Sequence, residues 1–210
     1  MATMSMNTVI HRAFRRDLTR FVDALSAFRD GDTARATQLG TAWDNFYAQL
    51  TEHHEGEHAI AWPTMESIGV SKELLATFDA EHDRMAQALE DTRGAMTTYR
   101  STATAADAAA ARASMEHLQA VTVAHLDHEE QEIEPVYLQH ADGPEIKAMG
   151  KQFAKVSPKQ GGTFFAWVSD GATPEEMASL TESVPKPVLK ILAGVFGRGY
   201  RRDVAPVWRT

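Results

Sequence analysis

The sequence predicts an all-α fold: an antiparallel up-down-up-down four-helix bundle followed by a C-terminal helical extension. Two observations carry that expectation. Four stretches place apolar residues three and four apart, the period of one helix face. The composition, 43% hydrophobic and 24% charged over 210 residues, is that of an ordinary globular chain with enough length to bury one core.

The first stripe begins near Thr8 and runs through Phe14, Leu18, Phe21, Leu25 and Phe28, with His11 on the same face. Gly31 and Asp32 are expected to close that helix. The second stripe starts near Thr33 and reads Leu39, Trp43, Phe46, Leu50, His53, Glu57, Ile60, in steps of four and three. That is a bundle seam with two polar residues in core slots. Pro63 should bend or end this helix, since it has no N–H to donate. Ser71 is the expected N-cap of the third helix, whose stripe is Leu75, Phe78, His82, Met85 and Leu89. An Ala-rich run, residues 103–113, leads into the fourth, with Met115, Leu118, Thr122, His125, Glu129 and Ile133 on one side. After Asp142-Gly143-Pro144 the helical patterns shorten. Thr173-Pro174-Glu175-Glu176 reads as a capping box with Pro at the first helical position. The expected division is a bundle over 8–141 and an extension over 142–210 that packs across it.

One frame occurs twice. His53 to Pro63 and His125 to Pro135 both read H-x-[ED]-x-E-x-x-x-x-x-P. A His and a Glu four apart share a helix face, so each segment aims an imidazole and a carboxylate at one point. Counting from turns near 31, 70 and 102 tests whether the four stripes meet. His11 lies about 20 residues before the first turn and His53 about 22 after it; Glu57 about 13 before the second and His82 about 12 after it; His82 about 20 before the third and His125 about 23 after it. Equal counts mean equal height in an up-down bundle.

His11, His53, Glu57, His82, His125 and Glu129 are therefore the expected metal ligands. Burying four imidazoles and two carboxylates is costly without a partner, and two cations offset that cost. This donor set suits iron, manganese or zinc. Six ligands on two metals leave positions open for water, O2, peroxide or an oxo or hydroxo bridge. His54 and His58 fall off the seam and are expected at the surface or in support. His117, His128, His140, Glu130 and Glu132 are expected in solvent, and Glu55 or Asp79 is expected to orient a ligand imidazole.

Several function classes are excluded. A net charge of −8 with no basic stripe argues against a nucleic-acid partner. There is no cysteine, hence no thiolate site and no cysteine nucleophile. No window is apolar enough to span a membrane, and Met1 to Asp17 lacks a signal-peptide core, so a cytoplasmic location is expected. No catalytic triad, phosphate loop or nucleotide fingerprint is present. A protein partner or a homodimer stays open.

These residues resemble the hemerythrin-like family of HHE cation-binding domains over about 8–141. The resemblance rests on His11, on His53-His54-x-x-Glu57 leading to Trp62-Pro63, on Glu81-His82, and on His125-Leu126-x-x-Glu129-Glu130 leading to Pro135. It implies a non-heme di-iron centre with Glu57 and Glu129 bridging and His11, His53, His82 and His125 terminal. The oxygen-carrying hemerythrins have H-x-x-x-H on the third helix, where this chain has Ala86 four after His82. Their fourth helix has H-x-x-x-x-D, where this chain has Glu129 at +4 and Glu130 at +5. The chain is similar instead to the H…HxxxE…H…HxxxE branch, whose members include catalase-like, oxidase-like and sensing proteins. The implied small ligands are O2, peroxide or NO, with either turnover as an oxidoreductase or non-catalytic binding of O2, NO or iron.

Overall fold

The structure, a computed structural model, describes residues 4–209. Ten α-helices and no strand occur among them: α1 (Met6–Ser26), α2 (Thr33–Gly56), α3 (Trp62–Ser67), α4 (Lys72–Thr102), α5 (Ala105–Glu132), α6 (Glu134–His140), α7 (Pro144–Phe153), α8 (Pro158–Val168), α9 (Pro174–Ser183) and α10 (Lys186–Ile191). The long ones, α1, α2, α4 and α5, have 21, 24, 31 and 28 residues. Helix α5 lies against both α1 and α4, α2 against α4, and α1 against α2. The result is a helical bundle. None of the helices is long and apolar enough to cross a membrane.

The local signals act largely where chemistry places them. Ser71 accepts a hydrogen bond from the Leu74 N–H at the start of α4, and Thr173 with Glu176 forms a reciprocal capping box at α9. Two boundaries differ from expectation. Helix α1 ends at Ser26, short of Phe28, and Asp32 opens α2 by accepting from the Arg35 N–H instead of closing α1. The reason is that an Asp side chain suits an N-cap better than a helix end. Phe28 leaves the helix and packs edge-on against Tyr99 at 4.9 Å.

The second difference concerns Pro63. It does not itself end α2. The helix widens six residues earlier into a π-turn, Glu57–Ala61, in which the Trp62 N–H bonds to the Glu57 carbonyl, and α3 then starts with Pro63 in its first turn. A proline cannot donate to the carbonyl four residues back, and the wide turn absorbs that missing bond. Single π-turns inside helices recur at functional sites.

The extension shares the bundle's core. Trp167 on α8 is fully buried, its ring 4.9 Å from Phe14, and its Nε1 donates to Asp17 Oδ2 at 2.8 Å. Asp17 also pairs with Arg16 and Arg20. Trp208 stands edge-on to Phe21 at 4.9 Å, and Tyr200, Val204 and Val207 belong to the same buried cluster as Leu18, Leu39 and Leu118. A second cluster gathers Trp62, Met65, Leu75, Phe78 and Ile133 with Ile146 and Met149 of α7.

Candidate metal centre

Where the two apolar clusters meet, the core turns polar. Phe14 from one cluster lies 5.2 Å from the His53 ring, and Phe78 from the other lies 5.9 Å from the His125 ring. Between them stand His11 on α1, His53 and His54 at the end of α2, Glu57 at the mouth of the π-turn, His82 on α4, and His125 and Glu129 on α5. His11, Glu57, His82, His125 and Glu129 are all buried.

The donor atoms fall into two sets. His11, His53, Glu57 and Glu129 offer four ligand atoms all within 4.8 Å of one another, and so do His54, Glu57, His82 and His125. Glu57 belongs to both. Its Oε1 is 3.1 Å from His53 Nε2 and its Oε2 is 3.3 Å from His82 Nε2. Glu129 Oε2 is 3.3 Å from His11 Nε2 and 3.7 Å from His125 Nε2. All six expected ligands are thus brought together at one level.

His54 joins them, which corrects the expectation that it lies at the surface or in support. Glu57 is four residues from His53 and three from His54, so on the helix it sits between the two rings. His54 stacks on His82 at 4.3 Å between ring centroids. The helical spacing of both histidines to Glu57 was the signal that could have found it.

Three other expectations are corrected. Glu130 is not simply solvated: its Oε1 takes a hydrogen bond from His11 Nδ1 at 2.9 Å and one from Arg15 at 2.7 Å. His128 is half-buried and bonds Glu81 Oε1 through Nδ1. The imidazoles are oriented by Glu130 and Glu81, the latter also bonded to His125 Nδ1 at 2.9 Å. Neither Glu55 nor Asp79 does this. Glu55 points to solvent, and Asp79 accepts from Trp62 Nε1 and the exposed His58. The Glu81 and Glu130 contacts carry no sequence periodicity, because they depend on which faces α1, α4 and α5 present to each other.

The titration of the site follows from this geometry. Burial, together with the neighbouring imidazoles, holds His53 and His54 well below the ordinary histidine range, and burial with His125 brings His82 down to about 4. These three are neutral ligands in waiting. For His11, burial is outweighed by the carboxylates of Glu129 and Glu130, which raise it to about 8. Burial and the facing Glu129 raise Glu57 well above the carboxylate range. Burial would raise Glu129 too, but His11 and His125 hold it low.

The arrangement fits a metal because six of its buried donor atoms lack any other partner, while Nε2 of His82 and Nε2 of His125 lie 3.1 Å apart, facing each other. Nε2 of His11, His53 and His54, both carboxylate oxygens of Glu57, and Oε2 of Glu129 make no aligned hydrogen bond with any described residue. An orphaned buried polar atom costs about 1–3 kcal/mol, and a bound cation would offset that cost for six atoms converging on one place. Removing an orienting carboxylate should be felt at the ligands. Glu81→Ala is expected to weaken metal affinity about 10–100-fold through His125; equilibrium titration checks this, and an affinity equal to wild type would rule out the orienting role.

A helical bundle with His/Glu clusters able to hold cations in its core defines a class of metal-binding helical proteins. Within it the chain belongs to the hemerythrin family: the model of the hemerythrin HHE cation-binding domain matches residues 8–137. Comparison with curated proteins and with solved structures gave no match.

Proposed function

We propose that this chain is a non-heme di-iron protein that reacts with O2 or peroxide at the core of an up-down-up-down bundle, its bundle domain spanning 8–141 and the helical extension 142–210. The observation that carries the reading is the pair of four-donor sets sharing Glu57, with Nε2 of His11, His53 and His54, both Glu57 oxygens and Glu129 Oε2 buried and without a hydrogen-bond partner. The proposed ligands are His11, His53, Glu57, His82, His125 and Glu129, with His54 added.

A pair of irons bound there would supply one- and two-electron chemistry on a small oxygen species. The chain's own residues do the rest. Phe14, Phe78 and Trp62 wall the centre from bulk water, Trp62 lying nearly parallel to His82 at 5.8 Å. Glu81 and Glu130 fix the ring planes of His125 and His11. A shallow cleft lined by His58, Trp62, Pro63 and Asp79 lies on the outer side of Trp62. A reactant with only two heavy atoms, such as O2 or H2O2, suits such a closed site. Peroxide disproportionation, two H2O2 giving two H2O and one O2, also needs no further reductant.

The test is peroxide consumption and O2 evolution by iron-loaded protein. Steady-state O2 release that disappears on iron removal supports turnover. Reversible spectral change with O2 or NO and no steady-state rate would replace it with a binding or sensing role.

Acid should work against metal uptake. In the metal-free protein His11, raised to about 8, holds a proton at neutral pH, burial and the facing Glu129 favour the protonated form of Glu57, and ligands must lose such protons to bind. Uptake at pH 7 is therefore expected to release protons into weak buffer, and affinity to fall as pH drops below about 8, the value to which His11 is raised. Affinity constant between about pH 6 and 9 would contradict this.

A further inference from the structure

The charge of this chain is unevenly placed. Residues 146–169 and 186–202 carry nine of its 21 lysines and arginines and none of its 29 aspartates and glutamates. The large hydrophobic side chains left exposed follow the same division. Among the described residues they are Phe153, Val156, Val188, Ile191, Val195 and Phe196, and all six fall in those two segments. The fold joins the segments. Helix α8 packs against the π-turn Leu192–Phe196 that follows α10. The approach is so close that a Cβ on Gly162 would stand 2.4 Å from that of Phe196, and Val156 lies against the neighbouring Gly161. Val188, Ile191 and Val195 recur at helical spacing and share a face. Cations flank these apolar positions: exposed Lys155 and Lys159 beside Val156, exposed Lys186 and Lys190 beside Val188, and Arg201, which donates to the Gly194 carbonyl next to Val195.

We propose that this face docks on a lipid bilayer rich in anionic headgroups, its apolar side chains entering the headgroup boundary while the lysines reach the phosphates. An exposed apolar patch with a polar rim marks an interaction surface, and a rim without carboxylates is complementary to an anionic one. A second copy of the chain suits it poorly. Among the described residues no other exposed large hydrophobics exist for it to offer, and face to face it would oppose cations to cations. Nucleic acid suits it poorly as well, because four of the six side chains are aliphatic and have no ring to stack on a base. The chain lies on the bilayer and does not cross it, since no described helix is long and apolar enough. Nothing in this depends on the metal centre.

Flotation of the full chain with vesicles is the test. Binding is expected to mixed phosphatidylcholine and phosphatidylserine vesicles, not to phosphatidylcholine alone, and is expected to weaken with added salt. Lys190→Gln should lower affinity about fivefold. Ile191→Ser should lower it about tenfold at unchanged charge. Both side chains are exposed, so circular dichroism should show the wild-type helix content in each. Arg93→Gln removes an exposed cation from α4, outside the face, and should bind as wild type. Failure to bind the anionic vesicles overturns the proposal, as does binding that Ile191→Ser leaves unchanged. A dimer in vesicle-free solution that Ile191→Ser dissociates would assign the face to a second copy instead.

Discussion

Glu57→Ala is expected to abolish the proposed peroxide turnover and to cut metal affinity by more than the roughly 100-fold expected for an outer-shell change. Glu57 is the one side chain in both donor sets, and each oxygen faces a separate histidine. Its loss removes a donor from both sets at once, whereas His11→Ala or His125→Ala removes one from a single set. The site is also the point where the core is least self-sufficient. Without Glu57, His53 and His82 keep buried nitrogens and lose the carboxylate that faces them. Peroxide assays and elemental analysis of the same preparation check the expectation. Turnover and metal content both at wild-type levels in Glu57→Ala would remove this residue, and the shared-ligand geometry, from the account.

The second large effect lies far from the chemistry. Trp167→Ala is expected to destabilise the fold by about 3–5 kcal/mol, the cost of truncating a fully buried aromatic, with a further contribution because Asp17 loses its indole donor. Trp167 fills the space beside Phe14 and Phe164 and ties α8 to α1. Since Phe14 in turn flanks His53, the loss should also loosen metal at the His11 and His53 set. Urea denaturation gives the first number and metal titration the second. A change under about 1 kcal/mol would mean that the extension only decorates the bundle and does not complete its core.

Much of this was legible in the chain. The four stripes are periodic because each long helix buries one face, and His11, His53, His82 and His125 interrupt them at matching distances from the turns. Equal rise per residue then fixes their height with no structure in hand. Three features were not legible, each for a physical reason. His54 lies one residue, about 100°, off the seam, and a strict i,i+4 reading discards it. Yet a carboxylate at i+3 and i+4 serves both histidines. The π-turn at Glu57–Ala61 has no period of its own, so Pro63 was read as the breaker although the widening begins before it. The supporting contacts of Glu81 and Glu130 link separate helices and depend on their rotation about their axes, which no single stretch of sequence encodes. The extension was readable as helices packed across the bundle, but not as the source of Trp167 within the main core.

The measurement that bears most directly on the central claim is the metal content of protein expressed with iron supplied, by elemental analysis alongside the near-ultraviolet spectrum. The account predicts close to two irons per chain, with a charge-transfer band that vanishes on chelation. A stable, folded chain that carries no metal and takes none up would contradict it.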